Sequence, residues 1–175
     1  MRATCKWDED DSYAILSARA SIVPLTRLTL LSLAKEIVHS LKPAYGYVFT
    51  RPARLGPTLY ARGIGVAEIY PTAIETDGEE SRLHWWCDAS EDKPWKDGRI
   101  RDVYPWSFLT APQLARPVGN VTLQEWILQY PRRGKLTAID KEHVLWEVEE
   151  RMIRPLRKPL EKAGVIYFGW SDEED

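Results

Sequence analysis

The chain has 175 residues, which is room for one ordinary domain and too little for two comfortable ones. Apolar residues make up 44% and charged residues 29%, a globular composition that excludes a disordered polymer. The net charge is −2, so bulk charge does not draw this chain to nucleic acid, and two cysteines, Cys5 and Cys87, are too few for a disulfide scaffold.

The N-terminus has no apolar signal-like run and turns acidic at once, at Asp8-Glu9-Asp10-Asp11. No apolar stretch approaches the length that crosses a membrane. A reducing, cytoplasmic location is the expectation. Residues 1–11 and 171–175 read as flexible acidic ends of one domain spanning 1–175.

Tyr13 to Val23 reads as a strand that Pro24 ends. From there the apolar period changes. Leu30, Leu33, Ile37 and Leu41, with Leu31, Ala34 and Val38 beside them, predict an amphipathic helix over 25–41, closed by Pro43. His39 lies next to that stripe and reads as a satisfied structural histidine. Ala44 to Arg51 alternates aromatic and β-branched residues and predicts a strand. Residues 59–70 predict another, after a loop at Pro52, Gly56 and Pro57. Gly63-x-Gly65 does not make a dinucleotide loop, because Glu68 stands where the third glycine is needed.

Residues 75–97 are acidic. Glu75, Asp77, Glu79, Glu80, Asp88, Glu91, Asp92 and Asp97 stand against Arg82, Lys93 and Lys96, a local charge of −5. Trp85, Trp86 and Trp95 lie among them, and 83–87 suggests a short strand. Arg101 to Thr110 follows, with Tyr104, Trp106 and Phe108 close together. Pro105 and Pro112 forbid one regular helix here, so the stretch reads as an irregular loop held by its aromatics. Thr122-x-x-Glu125 is a capping box that starts a helix over 122–130. Arg132, Arg133 and Lys135 make a basic turn. Leu136 to Ile139 and His143 to Val148 predict two strands, followed by a helix over 150–163 that Gly164 stops. Val165 to Trp170 predicts a short closing strand. Strands and helices mix without βαβ alternation, so the fold class is α+β, with a mixed or antiparallel sheet.

The chain offers little catalytic chemistry. His84 and Cys87 have metal-like spacing, but a zinc site needs three or four ligands, and only a fortunate fold would add His39 or His143. There is no Gly-x-Ser-x-Gly elbow and no P-loop. Asp77 or Asp88 with Glu91, Asp92 and Lys93 is a short acid-x-Lys pattern of the kind that holds Mg²⁺ in a small nuclease. It sits in a region whose negative charge repels phosphate. Arg151, Arg154, Arg157, Lys158 and Lys162 could form a basic helix face for nucleic acid; a solvated face is the plainer reading.

Five blocks occur in order: AYGYVFTRPARLGPTLYARGI, RDVYPWSFLTAPQL, VGNVTLQEWI, RGKLTAIDKEHVLWEV and PLEKAG. With them the chain resembles the immunity protein 52 family of bacterial polymorphic toxin systems, and a related group of type VI secretion immunity proteins. The resemblance covers most of residues 44–164. It implies a non-enzymatic, cytoplasmic protein without cofactor or metal, which binds and neutralises a cognate toxin. The toxin it implies is a nuclease with a restriction-endonuclease-like fold. Nucleic acid and membrane are not expected partners. The resemblance assigns no contact residues. Charge and tryptophan content add an expectation of their own: Asp77, Glu79, Glu80, Trp85, Asp88, Glu91 and Asp92 steer and anchor a basic partner. Trp106 and Trp126 are expected in the core.

Overall fold

The computed structural model describes residues 2–6, 13–17, 26–50, 60–61 and 94–167. The elements are helices and antiparallel sheets, so the α+β class holds. The chain divides into two compact units, one of residues 1–33 and 50–90, the other of 34–49 and 91–175.

In the first unit, β1 (Arg2–Lys6) pairs antiparallel with β2 (Tyr13–Ser17), with Arg2 opposite Ser17 and Lys6 opposite Tyr13. β2 begins where the sequence predicts a strand. β1 lies in the stretch expected to be a flexible acidic end. Of the strand expected over 59–70, the two described residues, Tyr60 and Ala61, are helical.

α1 (Arg27–Leu41) follows the predicted period. Thr26 Oγ1 accepts the Thr29 amide at 3.2 Å and starts it, as a hydroxyl before a first turn does. Its buried stripe is Leu30, Ala34 and Val38, whereas Leu33 and Leu41 are exposed. The seam thus runs at steps of four from Leu30 through the smaller Ala34 and Val38, not through Leu33 and Leu41. His39 is exposed, not a core histidine. Lys42 ends the helix at φ 44°, its amide donating to Val38 O at 3.0 Å.

The second unit is built on a four-stranded antiparallel sheet of order β3-β4-β8-β7. Its strands are β3 (Gly46–Val48), β4 (Trp106–Leu109), β7 (Lys135–Ala138) and β8 (Val144–Glu147). β4 corrects the sequence reading. The stretch taken as an irregular loop is an inner strand, with Ser107, Phe108 and Leu109 buried. Pro105 precedes it and Pro112 follows it, so the prolines bracket the ladder and interrupt no bond in it. Trp106, at its start and paired with Val48 and Glu147, is only half-buried, not the core residue expected.

Short elements join β4 to β7. α2 (Ala111–Ala115) carries Pro112 in its first turn, where a missing N–H costs nothing. The buried Gln113 is satisfied by Thr110, whose amide donates to its Oε1 at 2.8 Å, and by Trp95 O, which its Nε2 reaches at 2.7 Å. β5 (Pro117–Val118) and β6 (Val121–Thr122) form a tight hairpin. α3 (Leu123–Gln129) starts with the expected capping box. Glu125 N donates to Thr122 Oγ1 at 3.2 Å, and Thr122 N donates to Glu125 Oε2 at 2.8 Å. A single 3₁₀ turn (Pro131–Arg133) leads to β7, and β8 leads to α4 (Glu150–Lys162). Pro155 and Pro159 lie inside α4, both exposed, so the carbonyls they leave unpaired face water.

The core gathers Leu109 from β4, Leu123, Trp126 and Ile127 from α3, Trp146 from β8, and Leu156 and Leu160 from α4. Ile100, Val165 and Ile166 close it. Ile100 and Ile166 form a parallel bridge, with Ile100 N donating to Val165 O and Tyr167 N to Ile100 O, each at 2.8 Å. Only this bridge represents the expected closing strand among the described residues.

Gly134, between the 3₁₀ turn and β7, has φ 109°. A Cβ there would lie 2.4 Å from Glu147 O and 2.6 Å from Trp146 Nε1. Gly134→Ala should therefore cost about 2 kcal/mol or more, from backbone strain plus the clash. Gly119 has φ 66° with nothing within 4 Å, so Gly119→Ala should cost only about 1 kcal/mol. Urea unfolding of the two variants compares them directly.

Two carboxylates tie pH to stability. Glu125 is held below its ordinary value by the Thr122 amide and then by its hydroxyl. Asp140 is held down chiefly by the Glu142 amide, with His143 adding to it. A depressed carboxylate stabilises the fold above its unfolded pKa of about 4 and loses that contribution as pH falls through the lower folded value. The urea midpoint should fall as pH is lowered below about 4, and Glu125→Gln with Asp140→Asn should flatten that fall.

Candidate functional site

Two features of the second unit join charge to aromatic rings. One is buried. Arg101 and Asp102 are 2% and 3% exposed, an exposure charged side chains reach only when paired. Asp102 Oδ1 accepts Arg157 Nε from α4 at 2.8 Å and the Val103 amide at 2.7 Å. The Arg101 guanidinium donates to the Tyr47 hydroxyl, and its carbon lies 5.4 Å from the centre of that ring. Its amide donates to Tyr45 Oη at 3.2 Å. Tyr47 stacks on Tyr104 with ring centres 4.2 Å apart and planes 12° off parallel. Burial pushes the Tyr45 phenol well up and that of Tyr47 up too, with Arg101 opposing the rise at Tyr47. Both phenols therefore stay protonated at neutral pH and act as hydrogen-bonding struts. This cluster anchors α4 and β3 to the segment before β4; it presents no activated nucleophile or base.

The other feature is at the surface, where α3 ends. Arg133 lies over two rings, 4.0 Å from the centre of Trp126 and 4.5 Å from that of Tyr130. Its Nη1 donates to Trp126 O at 2.7 Å and to Gln129 Oε1 at 3.1 Å. Burial lowers its pKa, yet a guanidinium remains a cation at neutral pH. Its backbone carbonyl accepts Trp146 Nε1 at 2.9 Å, so the turn is tied to the core. Around it, Leu128 is 64% and Tyr130 57% exposed, and Pro131 and Arg132 are also exposed. Tyr, Trp and Arg are the residue types that dominate binding energy at protein interfaces. Sequence reading marked 132–135 only as a basic turn. The signal it passed over was spacing: Arg133 follows Tyr130 by three residues and Trp126 by seven.

The contact residues expected from charge, Asp77, Glu79, Glu80, Trp85, Asp88, Glu91 and Asp92, lie outside the described residues, as do His84, Cys87 and Lys93. His143 is buried and bonded on both nitrogens, Nδ1 to Asp140 Oδ1 at 3.0 Å and Nε2 to Pro43 O at 3.1 Å. Among the described residues, no three His, Cys, Asp or Glu side chains are grouped to hold a metal ion, and no helix is long and apolar enough to cross a membrane. A shallow groove of about 410 Å³ runs past Lys42, Pro43, Thr110, Pro112 and Lys141. It is open and mostly apolar, and its buried histidine, His143, is already bonded on both nitrogens. Of the expected basic helix face, Arg151, Arg154 and Lys158 are exposed, while Arg157 turns inward to Asp102.

Comparison of the chain with family models, with curated proteins and with solved structures finds no match.

Removing one partner of the buried pair tests its role. Asp102→Ala should destabilise the chain by about 3–5 kcal/mol, because it strands the Arg157 charge. Arg151→Ala, which breaks an exposed pair with Glu149, should change stability by less than about 0.5 kcal/mol. Denaturant midpoints separate the two.

Proposed function

We propose that this chain is an immunity protein, which binds a cognate secreted bacterial toxin and neutralises it without chemistry of its own. The observation that carries the reading is the exposed end of α3. Leu128 and Tyr130 face water there above an arginine already stacked on Trp126. Large apolar and aromatic side chains ordered at a surface are suited to a macromolecular partner, since the free chain has already met part of their ordering cost. The resemblance of the ordered sequence blocks to the immunity protein 52 family supports a toxin as the partner, taken here as a nuclease with a restriction-endonuclease-like fold. The cytoplasm of the producing cell is the place such a protein acts.

Residues 75–97, with a charge of −5, fit the same reading. A nuclease presents cations to phosphate, and carboxylates in a partner compete for them and speed association. A complex with the cognate toxin should have a dissociation constant in the nanomolar range or below, about −12 kcal/mol. Asp88→Lys with Glu91→Lys should slow its association at low salt and leave dissociation nearly unchanged. Stopped-flow mixing at two salt concentrations measures this. Phosphodiester cleavage by the chain with Mg²⁺, lost in Glu91→Ala, would replace the reading with a metal-dependent nuclease.

A further inference from the structure

We propose that the end of α3 and the following 3₁₀ turn dock a carboxylate-bearing face of the partner protein, with Tyr130 and Leu128 as apolar anchors and Arg132 as the ionic contact. This rests on the reading of the chain as a toxin-binding protein, and it adds a contact of the opposite sign to the acidic stretch. Residues 126–139 contain Arg132, Arg133 and Lys135 and no acid, although the whole chain carries −2. Arg133 is committed inward, by two hydrogen bonds and two rings. Arg132 is exposed and has no hydrogen-bond or ion-pair partner among the described residues. A guanidinium so placed suits a carboxylate, which it can hold through two parallel bonds.

The apolar half of the surface selects a protein over a nucleic acid. Leu128 offers no plane for a base to stack on. One face of the Tyr130 ring already carries the Arg133 guanidinium, which also keeps that ring from wandering. Single-strand binders instead leave aromatic faces open to successive bases.

The test uses the intact chain and, as probe, an inactivated form of the proposed cognate nuclease toxin. Arg132→Glu should weaken the complex about tenfold or more, mainly through slower association, and should reduce its salt dependence. Leu128→Ser should speed dissociation about tenfold or more with little change in association. Both positions are exposed, so urea midpoints should match that of the native chain. Native binding in both variants would overturn the docking surface and leave the immunity reading standing. Failure of the native chain to bind the toxin at micromolar concentration would overturn both. If the native chain instead bound a single-stranded oligonucleotide and Arg132→Glu lost that binding, the surface would be a nucleic-acid site and the proposal would fall.

Discussion

Arg133 joins the core of the second unit to its surface. Its carbonyl accepts the indole N–H of Trp146, a side chain with no exposure at all. Its guanidinium lies over the rings of both Trp126 and Tyr130. An indole N–H buried without a partner would cost about 1–3 kcal/mol, so the turn is held where its carbonyl meets Trp146. That position brings the backbone of Gly134 against Glu147 and leaves no room for a side chain. The same turn fixes where β7 enters the sheet. A surface aromatic is thus ordered by an arginine, three residues on, whose carbonyl is held by a core hydrogen bond.

Much of this was legible in the sequence where a local rule had no competitor. The Thr122–Glu125 pair specified the start of α3, because both partners of a capping box lie within one turn. The β7–β8 hairpin followed from two β-rich runs with Asp140 between them, and Gly164, at φ 65°, ended α4 where expected. β4 was misread because its neighbours come from far away in the chain. Trp106 pairs with Val48 on one side and Glu147 on the other, and nothing within 101–112 announces either. Pro155 and Pro159 stood inside α4 because each sits on its solvent side, where a missing amide bond is least costly. The buried stripe of α1 followed Leu30, Ala34 and Val38 because tertiary packing, not leucine content, decides which face is covered.

The surface feature was the least legible. Arg133 reads as one more charge in a basic turn until the helix and the turn place it over two rings. Conversely, Arg101 and Asp102 read from sequence as surface charge, yet both are buried, and Asp102 holds the half-buried Arg157 of α4. Single charges beside a core are therefore easily misplaced by sequence reading, unlike long runs of one sign. The contrast that matters for partner choice lies between an acid-rich stretch at 75–97 and an acid-free one at 126–139. A protein partner carrying cations in one place and carboxylates in another answers both, and a phosphate polymer answers only the second.

The most direct measurement is a stoichiometric titration of the nuclease activity of the proposed cognate toxin with this chain. The account predicts activity that falls linearly to zero at one chain per toxin, with no cleavage by the chain alone in Mg²⁺. Undiminished toxin activity at a large excess of chain would contradict it.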